Sequence, residues 1–223
     1  MIQRPRYVGA INSVLADNPV CALLGPRQCG KTTLARQLSL KRQSHYFDLE
    51  TAAGRARLSN PELALSSLSG LIVIDEIQRQ PQIFTALRSL ADRPNAKAKF
   101  LILGSASPEL VRGASESLAG RVGFVDINGF DLNEVDHEQW RKLWLRGGFP
   151  RSFLARTSAA SFKWREDFTR TFLERDIPQL GVRIPAEVLR RFWMMVAHYH
   201  GQIWNGAELS RSLGVGEHTV RGY

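Results

Sequence analysis

The first 130 residues alternate between short apolar runs and segments with helical periodicity, which restricts the fold more than any other feature of the sequence. The five apolar runs are VCALLG at 20–25, HYFDLE at 45–50, LIVIDE at 71–76, FLILGSA at 100–106 and GFVDI at 123–127. Their lengths and flanking turn residues predict strands, and the segments between them repeat apolar residues at helical spacing. Strand and helix in alternation predict an α/β fold, with a five-stranded parallel sheet covered by helices on both faces.

The runs of strand length stop near residue 133, and the remainder of the chain has a helical pattern. We therefore expect a core domain at 1–135, a helical lid at 136–185 and a third unit at 186–223. The sequence stops at Tyr223, inside an expected helix. We therefore expect a chain that is truncated within its third unit.

The third unit, 186–223, contains three short helical segments, with a glycine turn expected at Gly214 and a helix expected from Glu217. This spacing resembles part of a winged helix-turn-helix. Such units bind DNA, and in ATPases they also serve as protein contacts or lids. If this one binds DNA, Arg211 and Arg221 are the expected phosphate contacts.

The composition is that of a globular protein, with 43% hydrophobic and 23% charged residues. No apolar run approaches the ~20 residues that span a bilayer, and MIQRPRYVGA at the start lacks the features of a secretory signal. We expect a cytoplasmic protein without a membrane partner. Cys21 and Cys29 have no neighbouring cysteine pair or histidine cluster, so both are expected to be reduced thiols.

The net charge of +9 is unevenly distributed along the chain. Residues 139–223 carry 14 basic and 7 acidic side chains, whereas residues 1–138 are almost balanced. Most of the basic residues are arginine, the side chain that binds phosphate through two parallel hydrogen bonds. A nucleic-acid partner and a solvated basic face both agree with this distribution.

The segment from Gly25 to Thr32 matches the pattern GxxxxGK[ST], directly after an expected strand and before an expected helix. In that context the glycines allow backbone N–H groups to surround an anion, and the helix N-terminus adds partial positive charge. Lys31 is expected to bind the β and γ phosphates and Thr32 to bind Mg2+. The alternative is a glycine-rich turn before a surface helix. The residues expected to bind nucleotide are Gly25, Pro26, Arg27, Gln28, Cys29, Gly30, Lys31, Thr32 and Thr33.

Two carboxylates end the third apolar run, LIVIDE. Parallel sheets bind ligands at the carboxyl ends of their strands, where Asp75 and Glu76 would lie. Asp75 is expected to hold Mg2+ and Glu76 to act as the general base that activates water. The alternative is that the two acids cap the following helix. Because binding alone does not need the second acid, the pair predicts hydrolysis.

Several motifs together resemble a family of predicted bacterial and archaeal AAA+ ATPases that carry a C-terminal domain of unknown function. They are GPRQCGKTTL, IVIDEIQRQPQIFTALRSL, LILGSAS, SLAGRV, GGFP at 147–150 and ERDIPQLG at 174–181. The resemblance covers nearly the whole chain. It implies an ATP-dependent machine that forms a ring, with a hexamer as the expected assembly, a five-stranded core and a helical lid.

The resemblance also implies roles for single residues. Ser105, after the fourth strand, would be a polar sensor beside the nucleotide, or a helix cap instead. Arg121, before the fifth strand, would enter the site of a neighbouring subunit, with Arg112 as the rival and a surface salt bridge as the alternative. The segment at 148–150 resembles the GxP motif of signal-transducing ATPases, and Arg151 beside it would reach a phosphate unless the segment is only a turn.

Taken together, these features predict an ATP hydrolase that moves or remodels DNA, with branched DNA as one candidate. The DNA assignment depends on the basic last third and the helix-turn-helix pattern. The main alternative is a nucleotide-gated switch or scaffold with slow turnover and a protein partner, which the GxP-like segment favours. A DNA-binding regulator with an inactive nucleotide site is disfavoured because Lys31, Thr32, Asp75 and Glu76 are all present.

Overall fold

A computed structural model describes residues 2–40, 42–94, 97–105 and 108–222. The chain divides into two compact units, Met1–Ser158 and Ala159–Tyr223. The three-domain division at 1–135, 136–185 and 186–223 remains a prediction.

The first unit contains a five-stranded parallel sheet in the order β2-β3-β4-β1-β5. The strands are β1 (Val20–Leu24), β2 (Ser44–Asp48), β3 (Gly70–Asp75), β4 (Ala98–Gly104) and β5 (Val122–Asp126). All five correspond to the apolar runs in the sequence, so the predicted fold class is confirmed. Because every pair is parallel, the carboxyl ends of the strands lie at one edge of the sheet.

Helices cover both faces of this sheet. They are α1 (Pro5–Asp17), α2 (Lys31–Ser39), α3 (Ala52–Arg57), α4 (Pro61–Ser66), α5 (Ile83–Ala91) and α6 (Pro108–Ser117). Two further helices, α7 (Trp140–Arg146) and α8 (Pro150–Phe153), follow β5 and contribute to a separate small core. Successive residues of β1 pack on opposite faces of the sheet. Ala22 packs with α4 and α5, and Leu23 packs with α1 and α2. Burial on both faces explains why the central strands read as continuous apolar runs and not as alternating ones.

A third, smaller core lies beyond the end of β5, where Phe130, Val135 and Phe153 pack together. Here the backbone N–H of Phe130 donates to the carbonyl of Gly148 at 2.7 Å. A side chain at position 148 would place its Cβ 2.3 Å from the Phe130 carbonyl oxygen. The glycine of the GxP-like segment is therefore required by this close approach of two backbones.

All the regular secondary structure in the described residues of the second unit is helical. It contains α9 (Ser158–Thr171), a π-helical turn (Phe172–Asp176), α10 (Ile177–Gln179), α11 (Ala186–His198), α12 (Gly206–Leu213) and α13 (Glu217–Arg221). Leu209 and Val220 are buried in a small core against α11, as their spacing indicates. Gly214 adopts a left-handed φ of 69° after α12, and α13 begins at Glu217 as predicted. DNA binding by these helices remains a prediction, and Tyr223 lies outside the described residues.

Over the ranges that the structure describes, no helix combines the length and the apolar character that a bilayer crossing requires. The finding agrees with the absence of long apolar runs in the sequence.

We expect Gly148→Ala to lower the free energy of unfolding by about 1–3 kcal/mol, because its Cβ would force two backbones apart. Gly9→Ala in α1 is the control. A Cβ at that position meets nothing within 4 Å, and the replacement should raise stability by about 0.5–1 kcal/mol. Urea unfolding of both variants and the parent measures the difference. Equal midpoints for the two variants would show that the approach at position 148 carries no strain.

Candidate functional site

The loop between β1 and α2 has a backbone conformation that depends on its glycines. A Cβ at Gly25 would lie 2.1 Å from the carbonyl oxygen of Ile127, so only glycine fits there. Gln28 and Gly30 have left-handed φ values of 62° and 104°. Helix α2 starts at the next residue, Lys31, so that its N-terminus meets the loop. These turns give the curled loop that a phosphate group requires.

The ammonium group of Lys31 is held against the start of the loop. Its Nζ donates to the carbonyls of Gly25 at 2.7 Å and Pro26 at 2.9 Å, and the residue is 6% exposed. An ammonium has three N–H donors, so these two bonds leave one for an anionic ligand.

Asp75 lies at the end of β3 and is buried, at 3% exposed. Its Oδ2 accepts from the Thr32 hydroxyl at 2.8 Å and from the Tyr46 hydroxyl at 2.6 Å. Burial, with the hydrogen bond to Asp75, raises the pKa of the Tyr46 phenol, so the phenol stays protonated and is the donor.

The other oxygen, Asp75 Oδ1, is buried without a hydrogen-bond partner in the described part of the chain. A buried polar atom without a partner is costly unless a ligand satisfies it. Mg2+ prefers oxygen ligands, and the Thr32 hydroxyl oxygen lies beside the same carboxylate. The donor set therefore fits a magnesium ion, with Thr32 and Asp75 as the residues that would hold it.

Glu76 follows Asp75 in a different backbone conformation. Its φ of 57° and ψ of 46° are left-handed, a costly conformation for a residue with a side chain. This kink ends the strand, and Glu76 lines the pocket described next. The side-chain amide of Gln78 donates to one Glu76 carboxylate oxygen, while Gln78 Oε1 is buried without a described partner. The two adjacent acids thus have different surroundings, one enclosed and one facing the pocket.

A cavity of about 570 Å³ opens at this edge of the sheet, within the size range of pockets for small molecules. Its lining combines residues of the loop, several charged side chains and a group of apolar side chains. The lining residues include Arg27, Gln28, Cys29, Gly30, Lys31, Thr32, Thr33, Glu50, Glu76, Ile2, Arg4, Phe130, Pro150, Arg151 and Leu154. Arg151, the arginine after the GxP-like segment, is therefore at the site.

Arg4 connects three parts of the chain around this cavity. Its guanidinium donates to both carboxylate oxygens of Glu134, at 2.6 and 2.8 Å, to the carbonyl of Cys29 at 3.0 Å and to the carbonyl of Asn128 at 2.9 Å. Both charged side chains are buried, at 5% and 2% exposed. The N-terminal segment, the phosphate loop and the chain after β5 are thus joined by one buried cation.

Ser105 follows β4 at the same edge of the sheet and is partly buried. Arg121 lies at the opposite edge, where β5 starts, and donates to both carboxylate oxygens of Asp92 at 2.5 and 2.8 Å. The hydrogen bond from Arg121 lowers the pKa of Asp92. Arg112 is exposed on α6. Neither arginine lines the cavity of its own chain.

Arg211 and Arg221, the candidate DNA contacts, are both exposed on α12 and α13 of the second unit. Arg221 also pairs with Glu217, one helical turn earlier, at 2.8 Å. Their surroundings thus leave both guanidinium groups in contact with solvent.

The two cysteines are buried free thiols. Burial raises the pKa of Cys21 to about 12 and raises that of Cys29 as well. Cys29 is a loop residue that packs with the core formed with α1 and α2, and a raised pKa lowers the fraction of reactive thiolate.

Family comparison agrees with this geometry. A family model described as an AAA domain matches residues 17–136. The chain belongs to that family. By this membership it is a P-loop ATPase of the AAA+ type. A second family model, described as a domain of unknown function, matches residues 137–223.

Two curated relatives and one solved structure are among the proteins similar to the chain. Uncharacterised proteins of Mycobacterium tuberculosis and Mycobacterium bovis are each 52% identical over 223 residues, which is 100% of this chain and 51% of theirs. The chain thus spans about half the length of these relatives. A Walker-type ATPase of Pyrococcus abyssi has a TM-score of 0.62 at 15% identity, covering 96% of this chain and 88% of that one. This likeness concerns the fold.

Sequence reasoning missed Arg4, Tyr46 and Glu134. Arg4 precedes the first helix and has no motif around it, and Glu134 lies 130 residues away. Tyr46 lies in a strand that the sequence does predict, but its partner Asp75 is on another strand. The order of the strands in the sheet is needed to bring the two together.

We expect Arg4→Met to lower the free energy of unfolding of the first unit by about 3 kcal/mol, because it leaves the buried Glu134 carboxylate without its cation. Arg6→Met is the matched control. It removes the exposed pair with Asp131 and should cost far less. Urea unfolding followed by tryptophan fluorescence compares the two. A loss as small for Arg4→Met as for Arg6→Met would contradict a structural role of the buried pair.

Proposed function

We propose that this chain hydrolyses ATP and uses the reaction to move or remodel DNA. The observation that carries the hydrolysis is that a phosphate loop, Lys31 and Glu76 line one pocket, while the buried Asp75 accepts a hydrogen bond from Thr32 of the same lining. A site that only bound nucleotide would not need Glu76. Family membership supports the same reading.

Binding of the triphosphate would use groups that already surround the pocket. The loop amides and the N-terminus of α2 supply partial positive charge, and Lys31 supplies a full one. Thr32 and Asp75 would hold Mg2+, which would supply positive charge that offsets the negative charge of the phosphates. The apolar walls formed by Ile2, Phe130, Pro150 and Leu154 suit a purine base, and Arg151 would reach a phosphate.

Cleavage would be an in-line attack of water on the γ phosphorus. The water oxygen forms a bond to phosphorus while the bond from phosphorus to the bridging oxygen breaks, leaving ADP and phosphate. Glu76, which lines the pocket, accepts the proton of the water. Charge placement around the loose transition state supplies most of the catalysis. Ser105 at the end of β4 is the proposed sensor of the γ phosphate.

A homo-oligomer follows from the proposed role of Arg121. This arginine lies at the sheet edge opposite the pocket, so it would complete only the site of another copy. An arginine supplied in this way contributes about 10³-fold in rate in other P-loop enzymes. Arg112 is the rival for the role. We propose a ring, with a hexamer as the expected assembly.

DNA is the proposed partner because residues 139–223 carry 14 basic and 7 acidic side chains. Arg211 and Arg221 are exposed on a helix pair with a glycine turn, an arrangement that supports phosphate contacts. Binding of this kind weakens steeply as salt concentration rises. Branched DNA is one candidate substrate.

A second candidate function is a nucleotide-gated switch with slow turnover and a protein partner. The GxP-like segment favours it, since Pro150 lines the pocket while Gly148 pairs with the backbone of Phe130. Nucleotide binding would then move a turn that is part of the small third core.

Steady-state ATP turnover is measured without DNA and then with single-stranded, duplex or branched DNA. The comparison distinguishes the two functions. We expect DNA to raise turnover several-fold. Lys31→Ala should abolish nucleotide binding, whereas Glu76→Gln should retain ATP and stop its cleavage, because it removes only the base. Slow turnover that no DNA stimulates would favour the switch, and no turnover at all would contradict hydrolysis.

Arg121→Ala should leave nucleotide binding intact and abolish turnover, because the residue would act only on a neighbour's site. Mixing it with Glu76→Gln protein should restore part of the activity, since some sites then combine an intact base with an intact arginine. Arg93→Ala, another exposed arginine of the same region, is the control and should keep parental turnover. No rescue at any ratio would count against a role across subunits.

A further inference from the structure

We propose that Tyr46 is a positioning residue for Asp75, which holds one carboxylate oxygen so that the other faces the metal. The inference rests on the proposed nucleotide site and adds to it a residue outside the phosphate loop and outside the acid pair. Three observations support it: the hydrogen-bond pattern at Asp75, the place of Tyr46 in the sheet and the packing of its ring.

The first observation is that both hydroxyls bind the same oxygen. Asp75 Oδ2 accepts from Thr32 at 2.8 Å and from Tyr46 at 2.6 Å, while Oδ1 is buried and has no partner in the described residues. A carboxylate with one donor can rotate and exchange its two oxygens. Two donors on one oxygen fix the group, so the lone pairs of Oδ1 stay available for a hard cation.

The second observation concerns Thr32. Because its hydroxyl hydrogen is directed at Asp75, its oxygen lone pairs point elsewhere and can face the same cation. Tyr46 donates its own hydrogen bond to the same oxygen, so it stabilises the carboxylate orientation on which that geometry depends. Groups that orient metal ligands in this way typically change metal affinity by about 10–100-fold when they are removed.

The third observation is that the Tyr46 ring is placed by the sheet and not by Asp75. Tyr46 on β2 is paired with Val73 on β3. Val73 lies two residues before Asp75 on the same strand. Its ring packs against the core formed with α1 and α2, and the Arg36 guanidinium lies 5.6 Å from its centroid. Replacing Tyr46 by phenylalanine therefore removes the hydroxyl and retains the ring contacts.

The test measures binding of a fluorescent ATP analogue while Mg2+ is titrated, and again in EDTA. For Tyr46→Phe we expect the half-saturating Mg2+ concentration to rise about tenfold or more, while binding in EDTA stays at the parental level. Tyr199→Phe is the matched control, because it removes a tyrosine hydroxyl from the second unit. Its Mg2+ titration should coincide with that of the parent.

A double-mutant cycle tests whether Tyr46 acts through Asp75. In an Asp75→Asn background, Tyr46→Phe should no longer shift the Mg2+ titration, because the carboxylate that it orients is gone. Tyr46→Leu also lacks the hydroxyl and serves as a second variant. The Mg2+ titration therefore does not depend on the folding of Tyr46→Phe alone. Thermal unfolding midpoints confirm that each protein tested is folded.

The outcomes separate this inference from the proposed function. A parent protein that fails to bind nucleotide at any Mg2+ concentration would overturn the proposed function and the inference with it. A parent with a Mg2+ response that Tyr46→Phe leaves unchanged would overturn the inference alone. Weaker binding by Tyr46→Phe to the same extent with Mg2+ and in EDTA would also overturn it, because the hydroxyl would then support only the general structure.

Discussion

Two buried cations hold the carbonyl groups of the phosphate loop, and the pocket depends on these contacts. Lys31 binds the carbonyls of Gly25 and Pro26 from inside the loop, and Arg4 binds the carbonyl of Cys29 from the N-terminal segment. In a planar peptide the N–H points away from the C=O, so a fixed carbonyl also fixes the direction of the next amide. The loop is therefore preorganised for an anion by contacts at both of its ends.

The two acids at the end of β3 have similar chemistry but different surroundings. Asp75 is enclosed and holds two hydroxyl donors on one oxygen. Glu76 turns sharply out of the strand and reaches the pocket. An enclosed carboxylate with one oxygen available suits a cation, and an accessible one suits a proton from water. The difference originates in the backbone, which changes from extended at Asp75 to left-handed at Glu76.

The sequence alone was sufficient for the five strands, the phosphate loop and the Asp75–Glu76 pair, because each is encoded within about ten neighbouring residues. It was not sufficient for Tyr46, whose partner lies on the adjacent strand, since strand order is a property of the whole sheet. Arg4 illustrates the same limit over 130 residues. The sequence indicated that Arg121 lies just before β5, but it did not indicate the hydrogen bonds that Arg121 donates to Asp92.

The burial of Arg4 has a practical consequence for handling this protein. Ile2 and Arg4 both line the nucleotide pocket, and helix α1 begins directly after them. Because Ile2 lines the cavity, residues of an affinity tag fused ahead of it would lie close to the proposed ATP site, and a histidine tag there would bring metal-binding side chains near that site. Tags for purification or for surface attachment are better placed away from this end of the chain.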